Sequence, residues 1–496
     1  MNDKHKLAAA LLAFTFLLYI PLKASDSLVE IGTVKNPGSK NIRGSSLGIG
    51  FECLDRKIFD PEKTYDKLEK TGVKWARCQT GWNRCETQKG VYDFKWLDGV
   101  VDNLISRGIR PWFNVGFGNP IYMENLTNPA AVGHVPLYYG EEVKAAWGNF
   151  LRALAEHFKG RVEYYEIWNE PNIVNFWRPA KPSVSEYMKL IRFSRENILK
   201  GDPGAKIGAC VSGGMSGYVE SFFNAGGGKF IDFFAVHPYQ ILPEQNYAAM
   251  AGSIRALMRE TSGREIPLWQ GESGYGSYFP EGHFLKTWHR GSQKNQAKWL
   301  LRRFATDLSL KIPLTSFFQC VDLTAAYQTG VGKQSPSLHG ILENVTYREK
   351  EAYYALKNFC AVFDSDTKPS EYFAAADLTP VRPRSEKISR LPDMAAIAYA
   401  FERNGYPLVA YYMPEDLQLE SAAIDGVKLS VLGGGLKRVE NPVLIDMLDG
   451  KVYKIAKGKT SGNPYAAPIF RNLPLKDYPL VLTDFEAVKD RISLAR

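Results

Sequence analysis

The sequence predicts an α/β protein, a (β/α)8 barrel followed by a C-terminal β-sandwich domain, and three observations support this prediction. From Leu47 onward, short apolar segments alternate with segments whose apolar residues recur at three-four spacing. The alternation runs through eight periods, and eight parallel strands joined by right-handed crossovers close into a barrel. After about Lys368 the pattern changes to short alternating strands separated by Gly, Pro and Asp, as in a sandwich.

Runs rich in β-branched and aromatic residues predict the barrel strands, and amphipathic stripes predict the helices. The predicted strands span 47–52, 73–78, 109–115, 162–168, 207–211, 230–237, 266–272 and 314–319. The predicted helices span 61–69, 97–105, 147–158, 184–199, 247–261, 292–310 and 348–363.

Four segments make up the predicted domain organisation. The sandwich strands are predicted at 395–401, 408–412, 443–447, 452–455 and 480–485. The segments are a signal peptide at 1–24, an N-terminal segment at 25–45 that adds a strand to the sandwich, the barrel at 46–368 and the sandwich at 369–496.

The first residues have the pattern of an export signal. Lys4 and Lys6 precede an apolar run from Leu7 to Ile20, and Ala24 offers a small residue for cleavage. The run is shorter than the roughly 20 residues that span a bilayer. We therefore expect a secreted or periplasmic protein with no stable membrane insertion after cleavage, and an uncleaved anchor is the alternative.

Composition excludes several classes of protein. With 45% hydrophobic residues in 496, the chain is globular rather than disordered. The net charge of +9 is not concentrated in a dense Lys/Arg run, which argues against nucleic-acid binding, although attraction to an acidic polysaccharide is an alternative. Six cysteines suit an oxidising compartment with one or two bridges near the barrel mouth, and the spacing of Cys and His predicts no metal site.

Two glutamates stand at the ends of predicted strands. Glu170 follows the strand 162–168 in the motif W-N-E-P-N, and Glu272 ends the strand 266–272. The carboxyl ends of parallel barrel strands line one mouth, so we expect these side chains to face each other there. A pair of carboxyl groups at one site is typical of glycoside hydrolysis, which needs an acid and either a nucleophile or a base.

These motifs resemble a known group of enzymes. W-N-E-P-N at 168–172, H-P-Y at 237–239 and the strand-ending Glu272 are similar to glycoside hydrolase clan A, retaining enzymes on TIM barrels, and most similar to family 39. The resemblance implies that Glu170 is the acid/base and Glu272 the nucleophile. It also implies a sandwich packed with the barrel. W-Q-G-E-S-G around Glu272 departs from the threonine-glutamate-tryptophan pattern of family 39 xylosidases, so the resemblance does not extend to the substrate.

Further site residues follow from the same resemblance and from their positions at strand ends. Arg77 is expected to hold Glu272, Tyr239 to donate to Glu272, His237 to orient the site and Asn169 to bind a sugar 2-hydroxyl. Glu166, which lies inside its strand, is expected to be structural. The other predicted substrate-binding residues are Trp82, Asn114, Asn119, Tyr275 and Gln319.

Two long loops are expected to determine substrate choice, because loops on a rigid barrel carry specificity. They span 116–140 and 274–291. The second contains His283, Lys286, His289 and Arg290, which either contact an acidic sugar or are simply solvated.

The leading hypothesis is an exported retaining glycoside hydrolase that acts on a glycan without a cofactor. Two alternatives remain open at this point. One is a glycan-binding protein on a barrel that has lost catalysis, and the other is an endo-acting transglycosylase that uses the same chemistry. The sequence leaves the sugar, its anomeric configuration and the oligomeric state open.

Overall fold

A computed structural model describes most of the chain. The described residues are 28–124, 126, 128, 130–278, 291–323, 336–371, 373–378, 396–417, 424–432, 435–457 and 468–495. The predicted signal peptide and the cluster of His283, Lys286, His289 and Arg290 lie outside these ranges. Within these ranges, every helix is too short or too polar to traverse a lipid bilayer.

Eight strands form a closed barrel in chain order, and each pairs in parallel with its neighbours. An earlier strand, β1 (Val29–Val34), lies outside the barrel. The barrel strands are β2 (Leu47–Gly50), β3 (Trp75–Gln79), β4 (Arg110–Val115), β5 (Tyr164–Ile167), β6 (Lys206–Ser212), β7 (Phe233–His237), β8 (Leu268–Ser273) and β9 (Thr315–Phe317).

Helices follow the barrel strands and cover the outside of the barrel. They are α1 (Tyr65–Thr71), α2 (Trp82–Cys85), α3 (Lys95–Ser106), α4 (Glu141–Phe158), α5 (Val184–Gly201), α6 (Gly217–Asn224), α7 (Tyr247–Ser262), α8 (Gln293–Ser309) and α9 (Glu351–Val362), and a short α10 (Phe485–Val488) lies near the end of the chain. The predicted fold class is confirmed, and each predicted barrel strand overlaps an observed one.

Two details of the barrel differ from the prediction. The structure has a helix, α6, between β6 and β7 that the apolar pattern did not indicate; Ser216 caps it by accepting a hydrogen bond from Val219 N. Strand β7, the sixth strand of the barrel, begins at Phe233 rather than at residue 230, because residues 227–230 form a 3₁₀ turn.

The second part of the chain consists of two antiparallel sheets. One has the order β10-β12-β13-β18-β15-β16-β1-β19 and the other the order β11-β14-β17. β1 pairs with β16 and β19, so the N-terminal segment adds a strand to the larger sheet. The strands are β10 (Thr367–Pro369), β11 (Phe373–Leu378), β12 (Ile397–Arg403), β13 (Tyr406–Tyr412), β14 (Ile424–Leu432), β15 (Pro442–Asp446), β16 (Lys451–Lys454), β17 (Ile469–Leu475), β18 (Leu480–Asp484) and β19 (Ile492–Leu494).

The barrel interior is apolar at its floor and polar at its mouth. Trp75, Trp112, Phe233 and Trp269 pack as one buried cluster at the amino ends of the strands, with the Phe233 and Trp269 rings stacked 3.9 Å apart. These large rings exclude water from the floor. Polar groups are therefore confined to the carboxyl ends, where the predicted site residues lie.

Helix α8 is buried on both sides because it lies between the barrel and the sandwich. Lys298 forms an ion pair with Asp477 at 3.0 Å, and both side chains are fully buried. Arg302 pairs with Glu244 and donates to the carbonyl oxygen of Glu415 at 2.7 Å. The two parts of the molecule are thus joined by one buried ion pair and by a hydrogen bond from Arg302 to the sandwich backbone.

All six cysteines are free and buried, contrary to the expectation of one or two bridges near the mouth. Each thiol is enclosed by the packing of the element that carries it. Burial raises the pKa of Cys53 and Cys85 to about 12, so these thiols are unreactive.

Candidate active site

Glu170 and Glu272 meet at the barrel mouth. One carboxylate oxygen of each and one ring nitrogen of His237 all lie within 4.8 Å of one another. Both glutamates are largely buried, with 7% and 8% of their surface exposed. The two distant strand ends therefore bring their acids to the two sides of one narrow gap.

The turn after β5 directs Glu170 into this gap. Trp168 and Glu170 have φ angles of 69° and 43°, in the left-handed region that residues other than glycine rarely adopt. Such a conformation costs about 1–3 kcal/mol and persists only where the surroundings enforce it. Here Trp168 Nε1 donates to the carbonyl oxygen of Phe176, and Asn114 Nδ2 donates to that of Trp168 at 2.6 Å.

Two donors hold the carboxylate of Glu272. Arg77 Nη1 donates to its Oε2 at 2.6 Å, and the Tyr239 hydroxyl donates to its Oε1 at 2.7 Å. Charged hydrogen bonds of this kind are stronger than neutral ones and stabilise the ionised carboxylate. The structure thus places Arg77 and Tyr239 where the sequence predicted them. Burial of its hydroxyl group, together with the charge of Glu272, raises the pKa of Tyr239 far above its usual value, so the phenol stays a donor.

His237 contacts Glu170. Its Nδ1 lies 3.0 Å from Glu170 Oε1 and 3.8 Å from Glu272 Oε2. Burial alone lowers the pKa of His237, but the charge of Glu272 and the hydrogen bond to Glu170 outweigh burial and raise it. A protonated His237 donates to Glu170 and orients its carboxyl group.

Arg77 is the centre of the site. Its Nη1 also donates to Glu52 Oε1 at 2.9 Å, and its Nη2 donates to Glu166 and to Asn169 Oδ1 at 2.9 Å. The guanidinium is fully buried, yet the three carboxylates around it outweigh burial and hold its pKa well above the usual value.

The two carboxyl groups that flank this guanidinium behave differently. Burial raises the pKa of Glu166, but the charge of Arg77 and hydrogen bonds from Arg77 and Asn114 outweigh it, so the net shift is downward. At Glu52 burial prevails over Arg77 and raises the pKa to about 7. Glu166 is therefore an anion that fixes Arg77, and Glu52 changes its protonation near neutral pH.

Two trios of side chains in the described residues have the spacing of metal ligands. They are Glu170, His237 and Glu272, and Glu166, Cys210 and His237. The Arg77 guanidinium already contacts Glu166 and Glu272 and supplies the positive charge that a metal ion would bring. We therefore interpret both trios as hydrogen-bonded clusters.

Three predicted sugar contacts have partners inside the protein instead. The Trp82 ring is fully buried against Tyr122, Trp147 and Phe150, and Tyr275 is stacked on Trp299. Asn119 donates to the carbonyl oxygen of Glu86 and accepts from Ile121 N, so both ends of its amide are used within the loop. Contrary to the prediction, we do not expect these three residues to touch a sugar.

Asn114 and Gln319 are fully buried as well, but they differ in their partners. Asn114 Nδ2 donates to Glu166 Oε1 at 2.9 Å, which makes it a support for Glu166. Among the described residues, neither amide atom of Gln319 has a hydrogen-bond partner. A buried amide without partners is costly, so Gln319 remains a candidate for substrate contact.

Sequence reasoning missed Glu52. It lies two residues beyond the end of β2, much as Glu170 lies three residues beyond the end of β5, and its surface is 2% exposed. A survey of every acid at the carboxyl end of a barrel strand, rather than of the acids in familiar motifs, would have found it.

Comparisons with known proteins agree with this picture. The family model described as glycosyl hydrolases family 39 matches residues 64–264, a range that contains Glu170 but not Glu272. The chain is 25% identical over 213 residues to a β-xylosidase of Geobacillus stearothermophilus, covering 36% of this chain and 40% of the relative. It is 25% identical over 167 residues to a β-xylosidase of Caldicellulosiruptor saccharolyticus, covering 30% of this chain and 31% of the relative. The chain thus spans less than half the length of the curated relatives it matches.

Solved structures resemble the whole fold. A family 39 glycoside hydrolase from Bacteroides cellulosilyticus superposes with a TM-score of 0.62 at 19% identity, covering 88% of this chain and 80% of the other. A family 39 β-xylosidase from Caulobacter crescentus has a TM-score of 0.55 at 15% identity, covering 92% and 97%. At these identities the likeness shows the fold. Together with the family model, it confirms the resemblance seen in the motifs: the chain is similar to family 39 of the glycoside hydrolases.

Proposed function

We propose that the protein is a retaining glycoside hydrolase in which Glu272 is the nucleophile and Glu170 the acid/base. The observation that carries this proposal is the separation of the two carboxylates, whose nearest oxygens lie within 4.8 Å. Retaining enzymes hold their carboxyl groups about 5–5.5 Å apart, whereas inverting enzymes need about 6.5–9.5 Å to fit a water molecule.

The contacts of each glutamate fit its role. Arg77 and Tyr239 donate to Glu272, which favours the ionised form that a nucleophile needs. When Glu272 attacks the anomeric carbon, Glu170 gives its proton to the departing oxygen, and the bond from sugar to leaving group breaks as the glycosyl ester forms. Glu170 then takes a proton from water, which attacks the ester and releases Glu272.

The substrate is proposed to be a glycan, and aryl β-xylosides are the first substrates to assay because both curated relatives are β-xylosidases. The support is indirect, since those relatives match over less than half of their length. A panel of aryl glycosides with different sugars then defines the specificity, and product lengths beyond that of the donor would indicate transglycosylation.

Replacement of Glu170 tests the assignment. With Glu170→Ala we expect hydrolysis of an alkyl glycoside to fall by about 10²–10⁴-fold, because general acid catalysis is lost. A dinitrophenyl glycoside has a leaving group that needs no proton. With this substrate the variant should form the glycosyl-enzyme at a rate close to that of the wild type, and the glycosyl-enzyme should accumulate. The exposed Glu62→Gln, which removes a charge from the protein surface, is the control.

Two results would contradict the proposal. One is an equal, small loss for Glu170→Ala on both substrates, which would place this side chain outside the reaction. The other is binding of glycans by the wild-type protein without release of sugar over a broad panel, which would favour a glycan-binding protein.

We also propose that the protein is exported and that residues 1–24 are removed. The support is the basic and apolar pattern of this segment. Intact-mass measurement of the protein secreted by its host should show a chain that begins at residue 25, and a full-length chain would contradict cleavage.

A further inference from the structure

Glu52 occupies a position at the mouth that no motif marks. Gly50, the last residue of β2, faces it: a Cβ added at Gly50 would lie 3.2 Å from Glu52 Oε1 and 3.1 Å from the Cβ of Gln319. Both contacts are tighter than ordinary packing. The glycine therefore leaves room for the Glu52 carboxyl group beside the buried, unpartnered amide of Gln319.

One nitrogen of Arg77 serves both Glu52 and Glu272. Arg77 Nη1 donates to Glu52 Oε1 at 2.9 Å and to Glu272 Oε2 at 2.6 Å. The side chain of Arg77 is fully buried and that of Glu52 is 3% exposed, so water does not screen this arrangement. A change in the charge of Glu52 therefore changes the electrostatic environment of Glu272 directly.

The charges around Glu52 do not balance. Arg77 and, when protonated, His237 are the two cations of the site. Four carboxyl groups face them, and full ionisation would leave excess negative charge in a buried site, which is costly. The groups that interact electrostatically with Glu52 are Arg77 and Cys78 from β3, His237 and Tyr239 from β7 and the turn after it, Glu272 from β8, and Cys53 beside it.

Glu52 is the carboxyl group that relieves this imbalance. Burial and the charge of Glu272 raise its pKa, Arg77 and His237 lower it, and the result is about 7. Glu166, by contrast, keeps its charge because it has two hydrogen-bond donors, Arg77 and Asn114.

We propose that Glu52 is a positioning residue of the site that is neutral in acidic solution, is ionised in alkaline solution, and thereby regulates how Arg77 is shared with Glu272. While neutral, Glu52 leaves the charge of Arg77 to Glu166 and Glu272. Once ionised, it competes with Glu272 for Arg77 and adds a negative charge beside the catalytic pair. The proposal rests on the proposed function for its effect on the rate, but not for the titration itself.

The pH dependence of hydrolysis is the first test. Glu52→Gln has the shape of the neutral acid and keeps an oxygen for Arg77, so at pH 5 its kcat/KM should stay within about threefold of the wild type. In alkaline solution the variant lacks the negative charge that ionised Glu52 adds beside the catalytic pair, so the basic limb of its profile should move to lower pH by about half a unit or more. Glu62→Gln, on the exposed surface, should leave the limb in place.

Two outcomes of this experiment would overturn the proposal. The first is a uniform loss of activity at all pH values with an unmoved basic limb, which is the behaviour of a merely structural residue. The second is a profile of Glu52→Gln that superposes on that of the wild type throughout.

A second measurement does not depend on activity. In protein labelled with ¹³C at the glutamate carboxyl carbons, the Glu52 resonance is assigned as the one that disappears in Glu52→Gln. This resonance should titrate near neutral pH in the wild type. In Glu272→Gln, which lacks the negative neighbour, it should titrate at lower pH. A midpoint near 4.3, the ordinary value for glutamate, would overturn the proposal. If the wild type proved inactive on every glycoside while this titration held, the proposed function would fail and the role of Glu52 as a titrating neighbour of Glu272 would stand.

Discussion

Two buried ionic clusters of this molecule differ in how their charges are matched. On helix α8, which faces the sandwich, each cation has a carboxylate partner: Lys298 pairs with Asp477 of the sandwich and Arg302 pairs with Glu244 of the barrel. At the barrel mouth, Arg77 alone serves three carboxylates, those of Glu52, Glu166 and Glu272.

The comparison shows what each cluster is suited to do. Matched pairs give two surfaces a fixed registration. In an unmatched cluster, the surplus negative charge raises the pKa of a carboxyl group, as at Glu52. Groups with shifted pKa values are concentrated at functional sites. The excess of carboxyl groups over cations is thus the physical mark of the active site, and the predictions below test each side of the contrast.

The largest effect is expected from removal of the nucleophile. Glu272→Gln should lower kcat/KM on an aryl glycoside by about 10⁴-fold or more, because no glycosyl ester can form. Its melting temperature should not fall, since one negative charge leaves an overcharged cluster. Steady-state kinetics and thermal unfolding of the same preparation measure both, and a loss below tenfold would exclude Glu272 as the nucleophile.

Removal of the shared cation should affect activity and stability together. Arg77→Met leaves three buried carboxylates without their partner, so the free energy of unfolding at pH 7 should fall by about 3–5 kcal/mol. Glu166 has a folded-state pKa below its ordinary value of 4.5, so Arg77 stabilises the fold above that pH and less below it. The deficit of the variant should therefore shrink as the pH falls below about 4.5. Urea unfolding at several pH values measures this, and a deficit that grows in acid would contradict it.

A smaller effect is expected from one hydrogen bond to the nucleophile. Tyr239→Phe removes the hydroxyl that donates to Glu272 Oε1, and a hydrogen bond to a charged group is worth about 1.5–3 kcal/mol, or about 10- to 100-fold in rate. The tyrosine is 41% exposed, so stability should change little. An unchanged kcat/KM would mean that this contact is absent during the reaction.

The smallest effect on activity is expected at the matched cluster. Lys298→Met leaves Asp477 buried without its charged partner and should lower the free energy of unfolding by about 3–5 kcal/mol. The pH profile of the folded enzyme should not move, because the pair lies on α8 and the sandwich rather than at the mouth. The double variant Lys298→Met with Asp477→Leu should regain part of the lost free energy of unfolding. A shifted pH profile in Lys298→Met would contradict the difference proposed between the two clusters.

Much of this architecture could be predicted from the sequence because its signals are local. The alternation of apolar runs and amphipathic stripes indicated all eight barrel strands, and the acids that follow two of them indicated Glu170 and Glu272. Helix α6 was missed because its eight residues contain too few turns for an apolar stripe to appear. Strands β11, β14 and β17 were missed because strand pairing in a separate three-stranded sheet is a non-local property.

The contacts of the site were harder to predict than its catalytic pair. Trp82 and Tyr275 stand at strand ends, where a ring can face either a sugar or the core, and only packing against Trp147 or Trp299 decides between them. Glu52 carries no motif, and its importance arises from Arg77, which approaches it from the neighbouring strand. Sharing of one guanidinium by three carboxylates is a property of the closed barrel rather than of any segment.

The most direct test of the central claim is to trap the covalent intermediate. A 2-deoxy-2-fluoro glycoside with a dinitrophenyl leaving group slows breakdown of the glycosyl ester, so the label remains on the nucleophile for peptide mass spectrometry. We expect one sugar per chain on the peptide that contains Glu272, and no label in Glu272→Gln. A label on Glu170 or another residue, or a reaction whose product has the inverted anomeric configuration by NMR, would contradict the account.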